Sequence, residues 1–109
     1  MAVRFLRRQG YRILQRNYRC PAGEIDIVAA DRDELVFVEV KARRSTAFGR
    51  PEEAVTPTKA RQIRRAALSY CHRHGLTDPP CRCDVVAISF REDGAPQIEH
   101  FVNAFPLLA

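Results

Sequence analysis

The 109-residue sequence predicts a single α/β domain, with a mixed β-sheet of about five strands flanked by helices. Segments 24–30 and 34–42 are rich in β-branched residues and alternate apolar with charged positions, which is typical of strands. Residues 56–74 have apolar side chains at helical spacing, and two further strand-like segments follow at 82–90 and 97–102. A chain of this length favours one core, so these elements should share one sheet.

The ends of the elements carry conventional signals. Residues 2–9 are expected to form a helix that stops at Gly10, and 11–19 to form a first strand. The later helix has a good N-cap residue in Thr56, with Pro57 in the first helical position. The predicted order is therefore helix, three strands, helix and two strands.

The composition favours a polyanionic partner. Lys and Arg number 18 against 13 Asp and Glu, which gives a net charge of +5, and a surplus of this kind suits nucleic acid. The N-terminus lacks the apolar core of a signal peptide, and no window approaches a transmembrane span. We therefore expect a cytoplasmic protein with no membrane association.

The cysteines are expected to be reduced thiols, since a cytosolic protein seldom has a disulfide framework. An alternative is a zinc site, but its spacing matches no common pair of zinc ligands. The four cysteines are Cys20, Cys71, Cys81 and Cys83. The zinc alternative would use Cys71, Cys81 and Cys83 with His72 and His74.

Lysine is scarce. Only Lys41 and Lys59 are lysines, and all other residues with a permanent positive side chain are arginines. A lysine that remains in such a chain is expected to meet a specific need, because its compact ammonium group does what the planar guanidinium of arginine cannot do in a small catalytic site.

The segments 24–30 and 34–42 suggest a hairpin with its turn centred on residues 32–33. This register places Asp26 opposite Glu39 and Glu24 opposite Lys41. Strict alternation would then set all four side chains on one face of the sheet. The register depends on the turn, because a slip of one residue would separate them.

Directly opposed residues in a hairpin have their Cβ atoms about 5 Å apart, and two carboxylates placed there repel one another unless a cation compensates. Asp26 and Glu39 could bind Mg²⁺ or Mn²⁺, with the Val40 carbonyl as a further ligand and Lys41 assisting attack on a phosphodiester. The alternative is a solvated strand face with a surface Glu–Lys pair. Phe37 lies on the same side as the charged residues and favours a face that is partly covered.

Other basic side chains could contact the backbone phosphates of a nucleic acid without reading its base sequence. The alternative is that these residues form a solvated helix face and an ordinary loop. They are Lys59, Arg61, Arg64 and Arg65 in the helix, and Arg43, Arg44 and Arg50 in the segment before it.

The motifs GEIDIVA, LVFVEVKAR, TPTKARQI and RCDVVAI resemble those of the bacterial YraN family, the UPF0102 group, over nearly the whole chain. That group is similar to PD-(D/E)xK restriction endonuclease-like and archaeal Holliday junction resolvase nucleases. The resemblance implies a restriction endonuclease-like fold, with Asp26 and Glu39 as metal ligands and Lys41 as the catalytic lysine. It also implies supporting roles for Glu24 and Asp84.

The expected function is divalent-metal-dependent hydrolysis of DNA, extending by analogy to structured or branched DNA, for which a homodimer would suit two symmetric cuts. Family members usually begin with a longer first helix that carries a glutamate, and this sequence starts after that position. A non-catalytic nucleic-acid-binding protein that retains the nuclease fold is therefore the alternative, and a protein-interaction module is a third.

Overall fold

The computed structural model describes residues 1–43 and 56–105. The predicted order of elements is confirmed, and the last strand is longer than the predicted 97–102. The elements are α1 (Ala2–Arg8), β1 (Arg12–Cys20), β2 (Gly23–Asp31), β3 (Glu34–Arg43), α2 (Pro57–Arg73), β4 (Cys81–Phe90) and β5 (Pro96–Phe105).

The five strands form one mixed sheet in the order β1-β2-β3-β4-β5. Strands β3 and β4 are parallel, whereas the other three neighbouring pairs are antiparallel. The parallel pair requires a crossover connection, and α2 lies within it. The predicted mixed sheet with flanking helices is thus confirmed, in agreement with the architecture that the family resemblance implies.

One side of the sheet, the α2 face, packs against α2. Ile63 and Tyr70 of the helix are buried in one cluster with Phe37 of β3 and Tyr18 of β1. The Tyr70 ring meets the rings of Phe37 and Tyr18 edge-on, at centroid distances of 5.9 and 5.3 Å. The Tyr18 hydroxyl also hydrogen-bonds the Ser69 Oγ at 2.7 Å. These contacts fix α2 across the first three strands.

The other side, the α1 face, packs against the short N-terminal helix. Leu6 is fully buried in a cluster with Val36 and Val38 of β3 and Val86 of β4. Both faces of the central strands are therefore covered, which explains why the charged side of β3 is not simply solvated. Within the described ranges, neither helix is long and apolar enough to cross a membrane.

The start of α2 agrees with its predicted cap. Thr56 has an extended backbone conformation, and its Oγ1 accepts a hydrogen bond from the Lys59 N–H at 3.2 Å, while Pro57 occupies the first turn. The cap satisfies one of the free N–H groups at the helix start. It also places Lys59 in the first turn of α2.

A buried polar cluster lies at the edge of the α1 face. Asp84 is fully buried and accepts hydrogen bonds from Arg82 Nε at 3.0 Å and the Asn103 N–H at 2.9 Å, and it lies 2.7 Å from His100 Nε2. Burial alone would raise the pKa of Asp84, but these three partners outweigh it, and the pKa is lowered. Asp84 is therefore held ionised as a support of the fold.

Arg82 connects this cluster to the β2–β3 turn. Its guanidinium contacts the Glu34 carboxylate, donates to the Tyr11 hydroxyl at 2.6 Å, and lies 3.3 Å from Asp31. The Arg82 side chain is largely buried, and these partners satisfy the donors of its planar fork.

We expect Asp84→Ala to destabilise the protein by about 3–5 kcal/mol, because it leaves a buried guanidinium without its main partner. Urea denaturation followed by circular dichroism measures this loss. Glu92→Ala is the control, since Glu92 is an exposed carboxylate in the turn between β4 and β5. That change should cost less than about 1 kcal/mol. Equal losses in the two variants would contradict a structural role for Asp84.

Candidate metal centre

The β2–β3 hairpin has the register that a turn centred on residues 32–33 predicts. Its ladder runs from the turn to the pair Ile27 and Val38. Asp26 and Glu39 follow directly beyond that last pair, so the two carboxylates lie where the strands begin to separate. The predicted proximity of these two residues therefore rests on a confirmed register.

The prediction of strict alternation along β2 was wrong. Ile25 packs in the α2-face cluster and Ile27 in the α1-face cluster, although two residues apart should share a face. The alternation breaks at Asp26. At the same level of the neighbouring strand, Asn17 has a left-handed backbone conformation with φ of 52°. A left-handed residue interrupts the regular strand conformation, and the side chains before and after it then lie on different faces.

The redirected Asp26 holds the backbone of β3. Its Oδ2 accepts a hydrogen bond from the Val40 N–H at 2.8 Å. A side-chain contact thus follows the last backbone pair of the hairpin and keeps Asp26 beside Glu39. The Val40 carbonyl remains a predicted metal ligand, whereas its N–H has an identified partner in Asp26.

Glu39 is a buried carboxylate, with its side chain only 9% exposed. Both lysines of the protein approach the same oxygen, Oε1, with Lys41 Nζ at 3.4 Å and Lys59 Nζ at 3.7 Å. Burial is the largest cause that raises the pKa of Glu39, and the charge of Asp26 adds to it, while the two ammonium groups act in the opposite direction. The net effect raises the pKa, so the ionised form of Glu39 is disfavoured without a further cation.

Lys59 was expected on an exposed helix face, and the structure shows it half-buried instead, while its contact with phosphate stays a prediction. The first turn of α2 brings its ammonium group to Glu39, where its side chain is 35% exposed. The available signal was the scarcity of lysine, which applies to Lys59 as much as to Lys41. Its position depends on how α2 packs, which the sequence pattern does not state.

Glu24 does not form the predicted pair with Lys41. It lies opposite Arg19 in the β1–β2 ladder and forms an ion pair with it at 3.6 Å. Both side chains are well exposed, so this pair contributes little to stability. Its described contacts belong to the surface of the β1–β2 pair.

The remaining predicted contacts to nucleic acid are placed only in part. Arg61 is exposed, and its Nη2 lies 3.4 Å from Thr58 Oγ1. Arg43 ends β3, where its backbone lies opposite Ser89 of β4. The side chain of Arg43, together with Arg44 and Arg50, lies outside the described residues.

The donor set suits a hard cation with an incomplete protein shell. Among residues 1–43 and 56–105, no group of three or more His, Cys, Asp or Glu side chains is placed to hold a metal, so protein side chains alone would leave the shell of a cation at Asp26 and Glu39 incomplete. Mg²⁺ usually keeps several waters and is bound through one or two carboxylates together with substrate phosphate. Asp26 and Glu39 meet that requirement.

The family model of an uncharacterised protein family, UPF0102, matches residues 1–88. The chain belongs to the UPF0102 family. A UPF0102 protein of Geobacter sulfurreducens is 52% identical over 107 residues, which are 98% of this chain and 84% of that protein. One of Pelobacter propionicus is 54% identical over 109 residues, covering 98% and 78%, and one of Syntrophomonas wolfei is 48% identical over 105 residues, covering 96% and 90%.

We expect Glu39→Gln to stabilise the metal-free UPF0102 protein at neutral pH. Because the pKa of Glu39 is raised above 4.5 on folding, the folded state binds this proton more tightly than the unfolded state. Stability therefore falls as pH rises from the unfolded value through the raised folded value, and the loss is complete above it. Glutamine mimics the protonated form and removes this loss.

Thermal unfolding in EDTA at several pH values measures the effect, with each 1 kcal/mol gained worth about 4–8 °C in Tm. The gain should shrink as the pH falls from the raised folded pKa of Glu39 toward about 4.5, and should be absent below that value, where Glu39 is protonated in both states. Glu99→Gln, at an exposed glutamate of β5, is the control and should leave Tm unchanged. A lower Tm for Glu39→Gln at neutral pH would show instead that the ion pairs of Glu39 with Lys41 and Lys59 stabilise the fold.

Proposed function

We propose that this UPF0102 protein is a metal-dependent nuclease that hydrolyses phosphodiester bonds in DNA. The observation that carries the proposal is the buried Glu39 carboxylate, placed beside Asp26 and contacted by both lysines. A buried carboxylate whose pKa is raised by desolvation and by a neighbouring carboxylate is a feature found often at functional sites. A fold optimised for stability alone would be expected to replace such a group.

The residues divide into distinct roles. Asp26 and Glu39 would hold Mg²⁺ or Mn²⁺, with the Val40 carbonyl as a third ligand. The bound ion would polarise the phosphate and lower the pKa of a coordinated water. Lys41 supplies a positive charge beside the metal ligands, where it can orient the attacking water and stabilise the negative charge that develops during attack.

Lys59 is a positioning residue in this account. Its contact with Glu39 Oε1, at 3.7 Å, ties the first turn of α2 to the carboxylate. The two carboxylates and two ammonium groups have no net formal charge. A divalent cation therefore adds its full positive charge to the site, which favours a phosphodiester substrate.

Nucleic acid as substrate agrees with the net charge of +5. Structured or branched DNA, and a homodimer that makes paired cuts, follow from the family resemblance as an analogy. The second candidate is a nucleic-acid-binding protein that retains this fold. It is favoured by the two lysines, because they offset part of the Glu39 charge without any metal.

The direct test is cleavage of linear, single-stranded, flapped and four-way-junction DNA with Mg²⁺, Mn²⁺ or EDTA. We expect metal-dependent products that fall at least about a hundredfold in Asp26→Asn and Lys41→Ala, because each change removes a group that acts on the reacting phosphate. Both variants should still bind DNA. Salt-dependent binding with no cleavage under any metal would instead support the second candidate.

We expect Lys59→Gln to lower the Mn²⁺ concentration needed for half-maximal cleavage by roughly tenfold. The change removes a positive charge next to a metal ligand, so the site attracts the cation more strongly. The turnover at saturating metal should fall, since the helix no longer positions Glu39. Arg61→Gln, two residues along the same helix, should alter neither quantity. A raised or unchanged Mn²⁺ requirement in Lys59→Gln would contradict this role.

A further inference from the structure

A cavity of about 350 Å³ lies on the α1 side of the sheet, beside Asp26. Its wall includes Asp26 and Val40 of the candidate metal centre, Arg16 and Asn17 of β1, and Val3 of α1. Its volume lies at the lower end of the range of ligand pockets, about 300–1,000 Å³. The cavity and the candidate metal centre thus share two residues.

We propose that Arg16 and Asn17 form a phosphate-binding subsite in this cavity, which holds a backbone phosphate of the substrate strand adjacent to the one that is cut. This inference rests on the proposed nuclease function and adds to it. Neither residue was singled out by the sequence patterns, because both lie in a strand with imperfect alternation.

The strand geometry explains why these two residues reach the cavity. Arg16 pairs with Ile27, which packs on the α1 face, whereas Tyr18 pairs with Ile25, which packs on the α2 face. Asn17 lies between these pairs with φ of 52°, a conformation that asparagine adopts more readily than most residues. The distortion that redirects Asp26 therefore brings Arg16 and Asn17 to the same cavity.

The chemistry of the pair suits a phosphate. Arginine binds phosphate oxygens through two parallel N–H donors, and the asparagine amide adds a neutral donor. No acidic side chain in the described ranges forms an ion pair with Arg16, whereas Arg19 on the same strand is paired with Glu24. Arg16 and Asn17 are both exposed, so a strand passing over the cavity can reach them.

The charges also determine the order in which the cation and the second phosphate bind. Asp26 in the cavity wall repels a phosphate, so the subsite is expected to fill most readily when a cation neutralises Asp26. A nucleic-acid strand bound at the metal would then contact Lys41 and Lys59 from the α2 face and Arg16 from the α1 face. The substrate class this arrangement fits is a polynucleotide backbone with at least two consecutive phosphates.

The test compares Arg16→Gln with Arg12→Gln, which makes the same charge change at an exposed arginine on the same strand but away from the cavity. Cleavage with Mn²⁺ should show a KM raised roughly tenfold in Arg16→Gln with kcat nearly unchanged, as expected for one lost charge-assisted contact. Binding with Mn²⁺, measured in the cleavage-deficient Lys41→Ala background, should show a log–log salt dependence weaker by about 0.7–0.9 when Arg16→Gln is added. Arg12→Gln should show smaller changes in both quantities.

A second pair of variants separates the effect of the Asn17 side chain from that of its backbone conformation. Asn17→Gly retains the left-handed backbone and removes the amide, and should raise KM. Asn103→Gly makes the same change at the left-handed residue of β5 and should not. Inorganic phosphate that competes with DNA in the wild type but less in Arg16→Gln would support a subsite that also accepts free phosphate. No competition, with the KM effect intact, would support recognition of phosphate only within a strand.

The outcomes distinguish the subsite from the activity on which it rests. A wild type that cleaves DNA, with Arg16→Gln indistinguishable from Arg12→Gln in KM and salt dependence, would overturn the subsite and leave the nuclease intact. A wild type that neither binds nor cleaves DNA would overturn both.

Discussion

The burial of the Glu39 carboxylate is the constraint on which the candidate site depends. Its side chain is 9% exposed, it shares its surroundings with Asp26, and Lys41 and Lys59 approach one of its oxygens. Through Lys59 it connects the first turn of α2 to the end of β3. The packing of α2 and the electrostatics of the site are therefore coupled, because any shift of α2 would move Lys59 and change the charge balance around Glu39.

Local distortion does the rest of the positioning. A regular hairpin would continue its ladder past Ile27 and Val38 and would direct Asp26 by strict alternation. Instead, Asn17 interrupts the regular geometry of β1, and Asp26 contacts the Val40 N–H. The interruption lies where β2 and β3 separate, beyond the pair Ile27 and Val38. A backbone pair lost there costs less stability than one lost inside the ladder, and the Asp26 carboxylate can bind a ligand. Non-glycine residues held in the left-handed region are frequent at active sites.

Much of the fold could be predicted from the sequence because its signals are local. The Thr56 cap, the alternation in β3 and the turn at residues 32–33 each act within a few residues, and the element order and hairpin register followed from them. The position of Lys59 could not be predicted, since it depends on α2 packing against Phe37 and Tyr18. The break at Asp26 depends on the conformation of Asn17 in another strand, which no pattern within β2 encodes.

The clusters around Asp84 and around Glu39 differ in how fully their buried carboxylate is compensated. In the cluster around Asp84, every partner lowers the pKa and the carboxylate is fully satisfied, as a structural ion pair should be. At Glu39, burial and Asp26 outweigh the two lysines, and the pKa is raised. One centre is complete in itself, whereas the other favours an additional positive charge. This contrast supports the proposal of a divalent cation at Asp26 and Glu39.

Calorimetric titration of Mn²⁺ into the protein at neutral pH tests that claim most directly, with Asp26→Asn and Glu39→Gln beside the wild type. We expect one site per chain in the wild type and an affinity at least about tenfold weaker in both variants, because each removes a charged ligand. Glu24→Gln, which changes a nearby carboxylate paired with Arg19, should bind Mn²⁺ like the wild type. No Mn²⁺ binding by the wild type, or equal affinity in all four proteins, would contradict it.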